Sequence, residues 1–385
     1  MRILDDWLAA HEAELIAVRR DLHAHPELAF AEKRTSDLIA ERLRMLGLAP
    51  TVLPGGTGVI CDIGEGERVV ALRADIDALP LPDLKDVSYR SRTPGACHAC
   101  GHDAHTAILL GVAAVLAAMD LPGRVRLIFQ PAEEAIPGGA VGTIAAGAMA
   151  GVVSIYALHC DPRVDVGFVG VRSGPITAAC DRLDVHLSGT GGHTGRPHLT
   201  ADVVYALGRL ITDLPGLLSR RVDPRAGLSL VWGAVDAGNA ANAIPASGSA
   251  RGTLRMLDHD AWDAAESLVQ ELVAQIVAPT GAHAEINYER GVPPVVNDLA
   301  CVEVQRAALL AALGPPALVD TRQSMGGEDF AWYLDHAPGA LARLGVRRPG
   351  STVPLDLHQS RFDIDESALA IGVRFMVHTA LVALG

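Results

Sequence analysis

Cys97-His98-Ala99-Cys100-Gly101-His102-Asp103-Ala104-His105 packs two thiols, three imidazoles and a carboxylate into nine residues, just ahead of the apolar run Ala107 to Met119. Thiolate and imidazole together suit zinc and its first-row neighbours, whereas calcium or magnesium would want oxygen donors. The competing reading is a pair of buried thiols beside helix-capping polar residues. A usable metal site needs further donors from elsewhere in the chain, so the question passes to the neighbouring segments.

Those segments are short β-branched runs that end in polar side chains. Val69-Val70-Ala71-Leu72 leads into Arg73-Ala74-Asp75-Ile76-Asp77-Ala78-Leu79-Pro80. Val125-Arg126-Leu127-Ile128-Phe129-Gln130 ends in Pro131-Ala132-Glu133-Glu134, and Val153-Ser154-Ile155-Tyr156-Ala157-Leu158 delivers His159 and Cys160. Open α/β sheets hold their sites at such strand ends. Asp75 and Asp77 read equally well as crevice donors and as solvated turn residues. His23, His25 and the lone His358 read locally as structural histidines.

Composition bounds the function. The chain has 385 residues, 49% apolar and 20% charged, enough for two domains with a sizeable core. A formal net charge of −13 argues against nucleic acid and against anionic membranes as partners. The N-terminal segment shows no signal-peptide pattern, and the run 107–119 is too short to span a bilayer. Six scattered cysteines do not make a disulfide framework, so a reducing, cytoplasmic setting is expected.

The outer segments read as α/β material, with helices over about 3–22, 35–46, 107–119 and 299–313. Between them the pattern changes. Strand, helix, strand, strand, helix, strand follow one another from about Thr177 to Arg290, the order of a ferredoxin-like module. The expected architecture is therefore a discontinuous α/β/α domain of residues 1–176 and 291–385 with an inserted α+β domain of residues 177–290.

Suppose Cys100, His102, Glu134 and His159 share one crevice. That is one donor more than a single catalytic ion with an open water position needs, and two ions about 3.5–4 Å apart would polarise a carbonyl and acidify a water. Glu133, beside Glu134, would then move the proton as general base and acid, which is equipment for amide hydrolysis. In the insertion, His193 follows Gly189-Thr190-Gly191-Gly192 and could donate to an oxyanion. Asn239, Asn242, Arg251 and Arg255 could bind a substrate carboxylate. No phosphate-cradle or dinucleotide fingerprint is present. A thiol redox reading of Cys97-His98-Ala99-Cys100 leaves Glu133, Glu134 and His159 unexplained.

With Arg19-Arg20-Asp21-Leu22-His23, Gly191-Gly192-His193, Asn242-Ala243-Ile244-Pro245, Gly327-Glu328-Asp329-Phe330 and Leu357-His358 added in order, the chain resembles the hippurate hydrolase and aminoacylase branch of the dinuclear-metal peptidases. That branch also includes indole-acetyl-amino-acid hydrolases and bacterial carboxypeptidases. The resemblance implies a metallopeptidase-type α/β/α catalytic domain with a ferredoxin-like dimerisation or lid domain. It implies Cys100, His102, Glu134, His159 and His358 as ligands of two divalent ions per subunit (zinc, manganese, cobalt or nickel), and Glu133 as general base and acid. It further implies an N-acyl amino acid or dipeptide substrate contacted by Asn242, to which the charge of Arg255 adds a candidate carboxylate contact, and a homodimer in which His193 serves the partner's site. Cys97 stands where this branch usually has methionine, so an oxidation-sensitive thiol beside Cys100 is expected. Asp75 stands where distant branches have a ligating histidine and is left out of the ligand set.

Overall fold

The structure, a computed structural model, describes residues 2–353 and 355–385. The described chain forms two compact units. One comprises Met1–Gly174, Val296–Arg322 and Asp329–Gly385, and the other Pro175–Val295 with Gln323–Glu328. The boundaries expected from the change of pattern, 177 and 290, differ from these by a few residues, and 323–328 go with the second unit.

In the first unit the strand Val69–Asp75 is buried at every position. Such a strand needs cover on both faces, as in parallel sheets flanked by helices. It pairs in parallel with Arg124–Gln130 on one side and Val152–Asp165 on the other. The whole sheet runs Thr51–Val52, Val59–Ile63, Arg124–Gln130, Val69–Asp75, Val152–Asp165, Gly339–Arg347, Val169–Val171, Leu318–Asp320. The last two short strands, of which Leu318–Asp320 forms the edge, escape a reading from hydrophobic runs.

Two elements differ from the sequence expectation in ways that matter for the site. The apolar helix begins at His102 rather than Ala107 and runs to Ala117, with nearly every residue buried. Its start is fixed by Gly101, at φ 91°, where a Cβ would meet the Cys160 Sγ at 2.9 Å. A left-handed residue there turns the chain from loop to helix within one step, which glycine alone does without strain. The polar cluster therefore occupies the first turn of a buried helix.

The second difference concerns Val152–Asp165, which does not end at Leu158. Its pairing with Val69–Asp75 stops at Ala157, while its pairing with Gly339–Arg347 continues to Asp165. His159 therefore lies just past the point where the strand loses one neighbour, and a crevice opens on that side.

The C-terminal helix Ser367–Leu384, with mean hydropathy 1.7, is the one helix among the described residues long and apolar enough to cross a membrane. It packs on Leu299–Leu313 and His102–Ala117, and 67% of it is buried. That is the behaviour of a core helix.

In the second unit Ala179–Ser188 alternates buried and partly exposed positions. It lies between Ser247–Met256 and His283–Val292, with Ser229–Ala237 outermost, antiparallel throughout. Helices Val203–Arg221 and His259–Val277 bury apolar stripes against it. Asp181, fully buried, accepts from Trp262 Nε1 at 2.9 Å, Tyr288 Oη at 2.5 Å and Gly291 N at 2.8 Å. This is the split βαβ order read from the sequence.

The first helix, Arg2–Ala24, is locked to the site by charge. Arg19, 1% exposed, donates to Asp103 Oδ2 at 2.7 Å and to Asp363 Oδ1 at 2.7 Å. His23 Nδ1 lies 2.7 Å from the same Asp103 oxygen. Burial alone would raise the Asp103 pKa, but Arg19 and His23 hold it well below the usual carboxylate range. His23 is thus structural, in the last turn of a helix rather than a loop. Removing the guanidinium leaves the buried Asp103 carboxylate with His23 as its remaining partner. Arg19→Met is expected to cost about 3–5 kcal/mol, seen as a lowered melting transition in calorimetry, and an unchanged transition would show that the pairing contributes nothing net.

Candidate metal centre

The loop and first helical turn at 97–105, the end of strand Arg124–Gln130 and the middle of Val152–Asp165 meet in the first unit. Cys100, His102 and His159 form one group of buried donors, and Cys100, Glu134 and His358 form a second. All five residues singled out as ligands are therefore together, with Cys100 common to both groups. Cys100 Sγ lies 3.5 Å from His159 Nε2, and Glu134 Oε1 lies 3.2 Å from His358 Nε2 and 4.0 Å from His102 Nε2. Glu133 Oε2 is 3.8 Å from His102 Nε2. Donors about 2.0–2.3 Å from a shared tetrahedral ion stand roughly 3.3–3.8 Å apart, so these separations suit ligands spread around a cation.

Hydrogen bonds aim the imidazoles. His159 Nδ1 lies 2.8 Å from the Cys160 carbonyl and must donate to it, which turns the Nε2 lone pair toward Cys100. His102 Nδ1 donates to the Asp77 carbonyl at 3.0 Å, with Asp77 Oδ1 at 3.2 Å. Its Nε2 and Glu134 Oε1 are buried and make no hydrogen bond. Buried polar atoms without hydrogen bonds are costly, and here an anionic oxygen, within ion-pair reach of His358 Nε2, and an imidazole nitrogen face one another across 4.0 Å. A divalent cation fits that gap chemically.

The charges agree. Burial would lower the His102 pKa, but Asp75, Asp77 and Glu134 push it up to about 10, so without metal this imidazole carries the proton that a cation would replace. Burial, with Arg343 nearby, holds His159 well below its ordinary value, which keeps it a neutral donor. Asp75 accepts from His105 Nδ1 at 2.5 Å and Arg73 NH1 at 2.7 Å, so both its oxygens are engaged by residues outside the ligand set. His105 Nε2 in turn accepts from Cys160 N at 2.9 Å.

The structure gives roles to residues that the sequence left open or passed over. Asp77 accepts from Glu134 N at 3.0 Å as well as from His102. Asp329, fully buried, accepts from Arg73 at 2.8 Å, Gln130 Nε2 at 2.7 Å and Ala140 N at 3.0 Å, closing the segment that follows Glu134. Its Gly-Glu-Asp-Phe context is legible in sequence; its partners are not. His358 has φ 62° and donates its backbone N–H to the Ala99 carbonyl at 2.8 Å, which ties a strained residue to the Cys100 loop. Cys97 is 1% exposed, and burial pushes its thiol up to about 11, which works against the oxidation-sensitive role expected of it.

In the second unit His193 pairs with Ala243 in a two-residue ribbon, and Thr194 N donates to the Asn242 carbonyl at 3.3 Å. His193 Nδ1 accepts from Gly195 N at 2.9 Å, which leaves Nε2–H as the outward donor on an exposed side chain. Asn242 is exposed; Arg255 is half-buried and donates to the Met325 carbonyl.

Asp77 holds His102 and the Glu134 backbone without belonging to the five-donor set. Asp77→Ala is expected to weaken metal binding about 10–100-fold, measured by competition with a chelator. Unaltered affinity would remove Asp77 from the support of the site.

Known proteins resemble the chain along nearly its whole length. A Bacillus subtilis (strain 168) N-acetyl-L-cysteine deacetylase is 38% identical over 97% of this chain and 89% of its own length. The crystal structure of the Bacillus subtilis YXEP protein, described as a dinuclear metal binding peptidase from the M20 family, superposes with a TM-score of 0.85. It is 34% identical and covers 98% of this chain and 99% of that one. A Rhodococcus jostii (strain RHA1) relative whose name is that of a glutamate–cysteine ligase is 50% identical over 95% of this chain. The chain spans only 46% of that protein, so its name describes a longer molecule. Residues 71–382 match peptidase family M20/M25/M40, and the chain belongs to that family as one of its hydrolases.

Proposed function

We propose that the chain cleaves the amide bond of N-acyl amino acids, releasing a carboxylic acid and a free amino acid. The observation that carries this reading is the second carboxylate at the donor group. Glu133 stands beside Glu134 with its Oε2 3.8 Å from His102 Nε2, which binding of a cation alone would not require. The deacetylase relative, named for an N-acyl amino acid, supports the substrate class. Within it, acetyl, hippurate-like benzoyl, long-chain and indole-acetyl conjugates all present the same amide.

Cys100, His102, Glu134, His159 and His358 would hold two divalent ions, with zinc, manganese, cobalt and nickel all compatible with a mixed sulfur, nitrogen and oxygen set. Such ions, when bound, polarise an amide carbonyl and lower the pKa of a water. Glu133 takes the proton from the attacking water and delivers it to the amine that leaves. His193, through Nε2–H, donates to the developing oxyanion, and Asn242 and Arg255 hold the substrate carboxylate. The resemblance assigns His193 to the partner's site in a homodimer, and a cytoplasmic setting accords with six scattered cysteines that make no disulfide framework.

The test is release of free amino acid from a panel of N-acyl amino acids and dipeptides, with metal-stripped protein and added Mn²⁺, Zn²⁺, Co²⁺ or Ni²⁺. Turnover should require metal, and Glu133→Gln should lower kcat by about 10²–10⁴-fold while metal still binds. Preference for dipeptides would redirect the reading to a peptidase, and a fully loaded protein that cleaves nothing would end it. His193→Ala should lower kcat about 10²–10³-fold; a kcat within error of the parent would take this histidine out of the reaction.

A further inference from the structure

We propose that Glu32 is the positioning residue of the general base: its carboxylate grips the Ala132 amide and so fixes the turn that presents Glu133. This inference rests on the role proposed above for Glu133. Glu32 precedes the helix Lys33–Met45 and lies outside the residues 71–382 matched to the family. Its side chain is fully buried, and its Oε1 accepts from Ala132 N at 2.8 Å across 100 positions of sequence.

Ala132 itself, also fully buried, has φ 56°, a left-handed conformation that alanine adopts only where its surroundings impose it. Glu32 takes the Ala132 N–H, and Gly139 N donates to the Ala132 carbonyl at 2.9 Å. Asp77 takes the Glu134 N–H at 3.0 Å. The backbone is thus held on both sides of Glu133 by buried carboxylates from two distant segments. What the turn needs from Glu32 is a buried side-chain oxygen at the reach of the Ala132 N–H.

Glu32 has its own anchor. Its carbonyl accepts from Ser36 N at 2.9 Å and Ser36 Oγ at 2.6 Å, at the first turn of the helix. Ser36 Oγ in turn accepts from Gly58 N at 2.8 Å. The carboxylate therefore reaches Ala132 from a fixed base. A proton acceptor for attack on a carbonyl must be held to a fraction of an ångström, and Glu133, on a short segment after a strand, gains that constraint from Glu32.

The experiment compares E32A, which removes the acceptor, with E32Q, which keeps an oxygen at the same reach. Where E32A does not fold, E32D, which withdraws the carboxylate by one methylene, takes its place. Expected for E32A or E32D are a kcat lowered about tenfold or more, a KM and metal content close to the parent, and recovery in E32Q. In an E133Q background the loss should vanish, because positioning has nothing left to position. An equal further loss in that background, or an unchanged kcat, would overturn the proposal.

A second readout needs no turnover. Exchange of the backbone amides at 132–134, followed by mass spectrometry, should accelerate in E32A or E32D and stay slow in E32Q. If the parent releases no amino acid from any conjugate, the amide-hydrolysis reading fails by itself. The exchange comparison then decides the tether alone, and equal exchange in all variants overturns it.

Discussion

Both oxygens of the Asp77 carboxylate are committed, one facing His102 Nδ1 and the other the Glu134 backbone N–H. On this constraint the donor group depends. Asp77 is itself fixed because it follows a strand buried on both faces, whose register with two parallel neighbours leaves no freedom to slide. A one-residue slip would exchange the side chains of its two buried faces and mismatch both packings. The packing of apolar residues thus sets the position of a carboxylate, and the carboxylate sets two donors.

The same economy recurs at Cys160. Its N–H donates to His105 Nε2 and its carbonyl accepts from His159 Nδ1, so one peptide unit on each side of a buried cysteine orients two imidazoles. These backbone groups are available because the strand Val152–Asp165 runs on past its partner Val69–Asp75. Sheet residues that lose a ladder neighbour must find other hydrogen bonds, and here histidine side chains supply them.

Electrostatically the site is a concentration of carboxylates with few compensating cations inside it. Arg19 and Arg73 neutralise Asp103 and Asp75 from behind, so that the ring of charge facing the donors is left to His102, Glu133 and Glu134. Burial makes this arrangement expensive without a cation and strong with one. The design explains why so many buried charged groups cluster in a small part of an otherwise apolar unit.

The sequence alone determined the chemistry and the class of fold. Donor types at the ends of three β-branched runs, the adjacent glutamates and the change from α/β to alternating pattern near 177 are all local, and local patterns are what a linear reading resolves. It also marked Cys100, His102, Glu134, His159 and His358, the last only through resemblance, since a lone histidine carries no local signal. What the tertiary structure decided was non-local. That the helix starts at His102 depends on Gly101 packing against Cys160; that His159 sits within a strand depends on where its neighbour stops; and that Asp77, Asp329 and Glu32 bear on the site depends on hydrogen bonds to residues 57 to 199 positions away. Such contacts leave no period or motif in the chain, because a single buried carboxylate reads as any other acidic residue until the fold removes it from water.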